Sequence, residues 1–407
     1  MAMQDYIHRT LEPVLEQAVR EFPAVVLTGP RQSGKTTLLR HLLGSSHRYM
    51  SLEAPDVRAA AASDPRGFLA LHEPPVIFDE VQHAPVLLPY IKERIDADRD
   101  RTGQYVLTGS QNLMLLEGVT ESLAGRAAVL HLLPLSRREI SGQSQAGLPW
   151  ERPSPKGETS LGRRELWSGI VRGAYPELVR HPERDAALWH GSYIQTYLER
   201  DVRTVRQVGD LTQFQSFLRA LAVRSGQLLN MAGLAGDMGV AVNTVKAWLS
   251  VLQASMQVVL LRPYFVNVGK RLVKTPKLYF ADTGTLCYLA GIRSAEQATT
   301  GAMGGALLET AVLSELTKAY LHRGHEARIY FWRTTAGREV DFVVESEGRL
   351  VPVEVKSSST PRPHMADGIA AFASDYGEKA DKGYVVHCGE MTLPLGPGAM
   401  AIPFGEL

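Results

Sequence analysis

The sequence predicts an α/β protein with a parallel sheet covered by helices, then a helical region, then a second, smaller α/β region. Three observations lead to this fold class. A complete G-x-x-x-x-G-K-[ST] pattern lies between an apolar run and a helix-prone segment. Strand and helix signals alternate after it, as in a parallel sheet with helices on both faces. Near residue 350, two strands of alternating hydrophobicity are joined by a Glu-Gly turn.

The loop at residues 29–36 reads GPRQSGKT. Its backbone N–H groups and the following helix N-terminus form a cradle for phosphates, Lys35 adds a point charge, and the Thr36 hydroxyl suits Mg²⁺. The predicted cofactors are therefore ATP and Mg²⁺. The residues expected to contact the nucleotide are Gly29, Pro30, Arg31, Gln32, Ser33, Gly34, Lys35, Thr36 and Thr37.

The next strand, within residues 75–82, reads PVIFDEVQ and ends in two acids. At the carboxyl end of a buried strand, Asp79 can hold Mg²⁺ through water. Glu80 can polarise the water that attacks the γ-phosphate. Downstream of a phosphate loop, this pair predicts hydrolysis as well as binding.

A third strand, residues 104–107, leads into Thr108, Gly109 and Ser110. In a doubly wound sheet these residues end beside the γ-phosphate, so Ser110 or Thr108 is expected to sense hydrolysis, unless this is an ordinary turn. Further along, Arg126 is predicted to be an arginine finger or a phosphate contact. A plain surface arginine is the alternative.

Composition bounds the class of protein. A chain of 407 residues is too long for one core, and 44% hydrophobic with 21% charged residues argues against disorder. The two cysteines, Cys287 and Cys388, form no C-x-x-C pattern, which argues against a disulfide framework or a zinc site. Neither a signal peptide nor a membrane-length apolar stretch is evident, so we expect a cytoplasmic protein without membrane partners.

Several segments together resemble one family, the bacterial and archaeal AAA-type ATPases whose C-terminal half is a domain of unknown function. The matching segments are GPRQSGKTTLL, VIFDEVQ, YVLTGSQN, ESLAGRAA, PLSRREI, GAYPE, SYIQTYLERDV and LYFADTGTLCYLAG. They run through essentially the whole chain. The resemblance implies an ATPase that assembles into a homo-oligomeric ring, such as a hexamer, with Arg126 completing a neighbouring site.

The middle of the chain predicts a helix-turn-helix at residues 230–253. Gly239 makes the turn, Asn243 or Thr244 caps the second helix, and that helix turns Val245, Trp248, Leu249 and Leu252 inward. The following VVLLRPYF is expected to begin a wing. Winged helices bind DNA, but they also serve as dimerisation or lid elements, and both interpretations remain open.

A basic segment coincides with this motif. Residues 211–280 contain eight Lys or Arg residues against one acid, Asp237, in a chain whose net charge is only +1. A solvated face is the alternative to a polyanion surface, and the helix-turn-helix favours DNA. The predicted DNA contacts are Asn243, Lys246, Arg262, Lys270, Arg271 and Lys274.

The C-terminal hairpin carries Asp341, then Glu354 and Lys356, in REVDFVVESEGRLVPVEVK. This is the arrangement of the PD-(D/E)XK nuclease fold. There the acids bind Mg²⁺ or Mn²⁺ and the lysine orients or deprotonates the attacking water. Strand alternation puts Glu354 and Lys356 on one face. Glu309 is expected to be a further metal ligand, and Val340 stands where proline often precedes the first acid. An exposed amphipathic hairpin is the alternative.

These observations predict three regions: an AAA-type core at 1–145, a helical lid and winged helix at 160–275, and a PD-(D/E)XK-like domain at 276–407. That domain resembles archaeal Holliday-junction resolvases. The predicted function is ATP-driven processing of branched or duplex DNA. The alternative is a nucleotide-dependent signalling switch in which the C-terminal domain is inactive and serves as an interaction surface.

Overall fold

The structure, a computed structural model, describes residues 6–110, 122–151, 161–198, 211–265, 275–334 and 337–407. Backbone alone is described at Ser110, Tyr197 and Leu198. Three predicted DNA contacts lie outside these ranges, namely Lys270, Arg271 and Lys274.

The first layer is a five-stranded parallel sheet with strand order β2-β3-β4-β1-β5. The central strand is fully buried along its length, as expected for a parallel sheet covered on both faces. Its strands are β1 Ala24–Gly29, β2 Arg48–Ser51, β3 Val76–Asp79, β4 Tyr105–Ser110 and β5 Ala127–His131.

Helices pack on both faces of this sheet. Alternate residues of β1 enter different cores: Val26 packs with Phe78, and Val25 packs with Ile77. The helices of this region are α1 Glu12–Glu21, α2 Lys35–Leu43, α3 Pro55–Ser63, α4 Pro65–Leu71, α5 Leu87–Ala97 and α6 Arg137–Ile140. This arrangement is the α/β fold with a parallel core that the sequence predicts.

A helical region follows. Its described helices are α7 Arg163–Arg172, α8 Pro176–Arg180, α9 Ala186–Tyr193, α10 Leu211–Ala222, α11 Met231–Met238 and α12 Val242–Ala254. A π-helical turn, Ile194–Leu198, continues α9. Trp248 of α12 packs edge-on against Phe214 of α10, so the predicted inward face is buried.

The predicted cap of α12 is wrong. The helix begins at Val242 with Ala241 at the cap position and without a side-chain cap, so Asn243 and Thr244 lie inside its first turn. Gly239 does end α11, in the left-handed conformation that favours glycine. The error arose because Asn and Thr favour caps by local hydrogen bonding, whereas packing of the apolar face set the start of the helix.

The second layer is an eight-stranded mixed sheet with order β12-β13-β11-β10-β9-β8-β6-β7. Its strands are β6 Val258–Pro263, β7 Lys277–Phe280, β8 Ile329–Arg333, β9 Glu339–Ser346, β10 Arg349–Lys356, β11 Gly383–His387, β12 Leu393–Pro394 and β13 Ala399–Pro403. The helices around it are α13 Thr283–Ala290, α14 Ala295–Thr300, α15 Gly304–Leu321 and α16 Asp367–Tyr376. Strands β9 and β10 pair antiparallel through the predicted Glu347-Gly348 turn, where both residues have positive φ.

The hairpin after α12 belongs to this second sheet. β6 pairs antiparallel with β7 and, at its far end, parallel with β8. Position 275/276, where the sequence analysis divided the chain, therefore lies between two neighbouring strands of one sheet. None of the helices that the structure describes has the length and apolar character needed to cross a membrane.

Candidate functional site

The phosphate loop connects the end of β1 to the start of α2. Gly29 is required because a Cβ there would overlap the carbonyl oxygen of Leu132. Gly34, with φ of +98°, immediately precedes Lys35, the first residue of α2. The two glycines therefore bring the chain directly from a buried strand into a helix N-terminus, which is the geometry that binds anions.

Lys35 is buried, and its ammonium group folds back over the loop. Its Nζ donates to the carbonyl oxygens of Gly29 at 3.0 Å and Pro30 at 2.9 Å. These contacts keep the charge inside the loop curve, where the predicted phosphates would lie.

Asp79, at the end of β3, is the centre of a hydroxyl cluster. The Thr36 hydroxyl donates to its Oδ2 at 2.8 Å, and the Tyr49 hydroxyl donates to the same oxygen at 2.5 Å. The Thr108 hydroxyl donates to Oδ1. Hard oxygen donors in contact suit Mg²⁺, so Thr36 and Asp79 fit the predicted metal role. Burial, followed by the bond to Asp79, raises the pKa of Tyr49 to about 12.

Glu80 stands one residue beyond the strand in the left-handed conformation, with φ of 58°. Its backbone N–H donates to the Thr108 hydroxyl at 3.3 Å, and Gln82 donates to its carboxylate. Thr108 thus contacts the Asp79 carboxylate and the Glu80 backbone, and the sensor role expected of it or of Ser110 stays a prediction. The backbone of Ser110 pairs with Gly29, and its side chain lies outside the described atoms.

A cavity of about 540 Å³ opens over the loop, within the size range of small-molecule sites. One wall comes from the region of the parallel sheet and includes Tyr6, Arg9, Lys35, Thr36 and Glu80. The other wall comes from α8, α9 and the turn between them and includes Pro176, Glu177, Arg180, Arg184 and Trp189. The Arg184 guanidinium pairs with Glu177 at 2.6 Å.

Sequence reasoning missed Arg9, Tyr49 and this second wall. A partial signal existed, because GAYPE contains Pro176 and Glu177 and was noted without a chemical role. Tertiary contacts bring the segment to the loop: Leu135 N–H donates to the Ala174 carbonyl at 2.9 Å, and Ala174 N–H donates to Asp282 at 2.9 Å.

Arg126 is not brought to the phosphate loop of its own chain. It precedes β5 and its carbonyl accepts from Ala24 at the start of β1, so it lies at the opposite edge of the sheet. The two edges are separated by roughly 17 Å, the rise of five strand residues. Its guanidinium forms a two-point ion pair with Asp96, with distances of 2.6 and 3.0 Å. A phosphate contact within the same chain is therefore wrong.

In the C-terminal region, Asp341 on β9 and Glu354 and Lys356 on β10 converge. Lys356 Nζ lies 2.6 Å from Glu354 Oε2 and 4.0 Å from Asp341 Oδ2, while Asp341 accepts from the Val355 N–H at 2.8 Å. Glu309 on α15 accepts from the Tyr279 hydroxyl at 3.0 Å. The spacing of the three hairpin residues therefore gives the predicted cluster.

The charge of Asp341 acts on both glutamates of this cluster. Burial, then the charge of Asp341, raises the pKa of Glu354 to about 8 and that of Glu309 to about 7. Burial acts to lower the pKa of Lys356, but Glu354 and Asp341 outweigh it, and the net pKa is raised. Mutual repulsion between buried carboxylates is the situation that a cation relieves.

Access to this cluster is restricted. Glu354 and Asp341 are only 5% and 9% exposed, and a Cβ at Gly368 of α16 would overlap a Glu354 oxygen. No group of three or more His, Cys, Asp or Glu side chains is arranged as a metal site among the described residues. Two oxygen ligands from Asp341 and Glu354 remain a chemically suitable pair for a hard cation.

The basic segment is only partly a surface. Asn243, Lys246 and Arg262 are exposed. Lys277, in contrast, is 5% exposed and pairs internally with Glu339. Charge counting overestimated the surface charge because it cannot tell an internal ion pair from a solvated lysine.

Three family matches cover most of the chain. Residues 21–141 match the AAA domain, residues 163–296 match a domain of unknown function (DUF8612), and residues 304–407 match another domain of unknown function (DUF4143). The AAA-type ATPase core and a C-terminal domain of unknown function are thus confirmed.

Two curated relatives extend over almost the whole length. The uncharacterized protein Rv2008c of Mycobacterium tuberculosis is 32% identical over 397 residues, which cover 97% of this chain and 82% of the relative. The chain belongs to the family of this protein. The uncharacterized protein Mb2031c of Mycobacterium bovis matches with the same identity and coverage.

Solved structures show weaker likeness to this AAA family member. The Walker-type ATPase PABY2304 of Pyrococcus abyssi aligns with a TM-score of 0.47 at 16% identity, covering 71% of this chain and 97% of that one. A point variant of Thermotoga maritima RuvB aligns with a TM-score of 0.27 at 15% identity, covering 61% of this chain and 88% of that one.

Proposed function

We propose that this AAA family member hydrolyses ATP to process DNA, with branched DNA such as Holliday junctions as the substrate. The observation that carries the DNA assignment is the contact of Lys356 with both Glu354 and Asp341 on adjacent strands. That set of groups suits a phosphodiester, because carboxylates hold a divalent cation and an ammonium group orients water.

In the hydrolysis step, Lys35 and the loop N–H groups bind the phosphates. Thr36 and Asp79 would hold Mg²⁺, which would neutralise charge on the phosphates. Glu80 orients the attacking water, and Thr108 fixes the direction of the Asp79 carboxylate while its hydroxyl accepts from the backbone N–H of Glu80. Ser110 remains a proposed sensor.

For DNA binding, we assign α11, α12 and the β6–β7 hairpin as a winged helix. Asn243 and Lys246 on α12 and Arg262 on β6 are exposed, as phosphate contacts must be. Lys270, Arg271 and Lys274 belong to the chain segment between β6 and β7 and are proposed contacts on sequence alone.

In the C-terminal domain, Asp341 and Glu354 would bind Mg²⁺ or Mn²⁺, with Glu309 as a further ligand and Lys356 orienting the water. A PD-(D/E)XK-like fold is part of this proposal. For assembly, we propose a homo-oligomeric ring, such as a hexamer. There, Arg126 would have to exchange Asp96 for the phosphates of a neighbouring site.

A second function has a specific observation in its favour. Glu354 is almost fully buried and Gly368 packs against its carboxylate, which hinders approach of a phosphodiester. A nucleotide-dependent protein switch with an inactive C-terminal domain is therefore the alternative.

The experiment is ATPase turnover of the full chain with and without four-way junctions, forks and duplexes at ~50 mM salt, where phosphate contacts are strong. Stimulation by branched DNA supports the proposal, and slow turnover indifferent to every DNA supports the switch. Lys35→Ala must abolish turnover. Cleavage, if it occurs, must require Mg²⁺ or Mn²⁺ and vanish in Glu354→Ala.

A further inference from the structure

A buried arginine outside the phosphate loop contacts its backbone. Arg9, which precedes α1, is only 3% exposed. Its Nη1 donates to the Ser33 carbonyl at 2.8 Å and its Nη2 donates to the Leu133 carbonyl at 2.7 Å. A residue distant in sequence thus contacts the loop directly.

Glu139 on α6 connects Arg9 to the C-terminal part of the chain. Its Oε1 lies 3.1 Å from Arg9 Nε and accepts from Thr10 N–H at 2.8 Å. The same oxygen lies 3.1 Å from Nδ1 of His322, a fully buried residue that directly follows α15. The connection therefore crosses from the ATPase core to the long helix beside β10.

The tautomer of His322 follows from its second contact. Leu133 N–H donates to Nε2 at 3.1 Å, so Nε2 carries no proton and Nδ1 is the donor to Glu139. Nδ1 thus donates to Glu139, which contacts Arg9, and Nε2 accepts from the backbone that follows β5. The two can be separated by mutation.

The contact with Ser33 matters because the peptide group is planar and trans. When the Ser33 carbonyl is held toward Arg9, the Gly34 N–H must point the opposite way. A released carbonyl could turn, and then a negative dipole would face the phosphates in place of a donor. Gly34 and Arg9 both line the nucleotide cavity.

We propose that His322, acting through Glu139 and Arg9, is a positioning residue that holds the phosphate loop in its nucleotide-binding conformation. The C-terminal domain then sets the affinity for ATP without contacting it. This inference rests on the nucleotide binding in the proposed function and adds how that site is controlled. A buried Arg–Glu pair is not needed for stability alone, since apolar residues of similar volume often serve as well.

The test is a matched pair of variants in the full chain. His322→Asn places an amide donor at the Nδ1 position and loses the Nε2 acceptor, whereas His322→Gln does the reverse. Affinity for mant-ATP is measured by fluorescence titration and folding by thermal unfolding. We expect His322→Gln to weaken binding by about fivefold or more and His322→Asn to bind like the wild type.

Equal affinities for the wild type and both variants overturn the proposal. Weaker binding by His322→Asn than by His322→Gln also overturns it, because the affinity would then depend on the Leu133 contact and not on Glu139. If the His322 variants unfold, Arg9→Lys decides: it keeps a charge for Glu139 but cannot reach both carbonyls, so unchanged affinity in the folded variant refutes the proposal. A wild type that binds no mant-ATP refutes the proposed function itself.

Discussion

At the scale of single residues, Asp79 shows how a strand-end acid is aimed. Three hydroxyl groups, from Thr36, Tyr49 and Thr108, divide between its two oxygens. Thr108 is the most informative because it also accepts from the Glu80 N–H. The Thr108 hydroxyl thus orients a proposed metal ligand without itself being one.

Thr108→Val is therefore expected to lower ATPase turnover by about 10–100-fold, because it frees Asp79 Oδ1 to turn away from Mg²⁺. Turnover measured over a range of Mg²⁺ concentrations should show a higher requirement for the ion. Thr310→Val is the control, since it removes another buried hydroxyl remote from the cavity. Equal turnover in both variants would contradict the role of Thr108.

The C-terminal carboxylates predict a pH dependence. A metal needs Glu354 and Glu309 ionised, but their pKa values are raised to about 8 and about 7, so protons compete with it at neutral pH. The stabilisation of the full chain by Mn²⁺, measured as a shift in Tm, should increase between about pH 6 and about pH 9. In Asp341→Asn the shift should be lost at both pH values.

The same raised pKa values determine whether the stability of the metal-free protein rises or falls with pH. Because the folded state holds these protons more tightly than the unfolded state, stability is highest at low pH in this respect. It falls as pH rises from the unfolded value of 4.5 to about 8. The measurement is Tm over this pH range. If the Tm of the wild type rose with pH relative to that of Glu354→Gln, the predicted loss of stability would be contradicted.

At the scale of elements, α12 has one face that packs in the core and an opposite face that is exposed. Its inner face, with Trp248 and Leu252, is buried in the helical region, and its outer face presents Asn243 and Lys246. Periodicity predicted both faces correctly, because a helical repeat is a local property. The start of the helix was predicted wrongly, because side-chain caps compete with packing of the whole segment.

We expect Lys246→Glu to weaken duplex binding without changing Tm, and to reduce the salt dependence of Kd by a slope of about 1, the loss of one phosphate contact. The measurement is a fluorescence-anisotropy titration at several salt concentrations. Arg20→Glu, an exposed charge reversal on α1, is the control and should bind DNA normally. Unchanged DNA binding by Lys246→Glu would contradict the proposed contact between α12 and DNA.

At the scale of the molecule, the regions are joined by buried polar contacts and by a shared sheet. Glu139 and His322 meet across the core and the C-terminal helix, Arg137 N–H donates to Glu315 at 2.8 Å, and β6 pairs with β8. Separate unfolding of these regions would take the His322 partner away from Glu139 or break the sheet, and both are unfavourable.

The chain should therefore unfold as one cooperative unit. ATP with Mg²⁺ at 100 times its Kd stabilises a binding-competent state by about 2.7 kcal/mol. Amide hydrogen exchange should show the same added protection in β9 and β10 as in β1, and none in Lys35→Ala. Protection confined to the phosphate loop and its neighbours would contradict a single unit.

Much of the site could be predicted because its chemistry is encoded at short spacing. The loop at residues 29–36, the strand ending in Asp79 and the hairpin bearing Asp341, Glu354 and Lys356 each occupy fewer than about twenty residues, within which periodicity and turn chemistry act directly. Arg126 shows the limit. Its motif indicated an arginine of interest, but strand direction puts it at the far edge of the sheet.

Local pattern was therefore enough to identify the phosphate loop, its acids and the acid–lysine hairpin, because backbone geometry places residues a few positions apart without help from the rest of the fold. The Arg9–Glu139–His322 connection depends on contacts such as Arg9–Leu133 and Glu139–His322, which are 124 and 183 positions apart. The second wall of the cavity depends on the contact of Ala174 with Asp282, 108 positions away. Such contacts follow from how sheets and helices pack, and no periodicity in the chain records them.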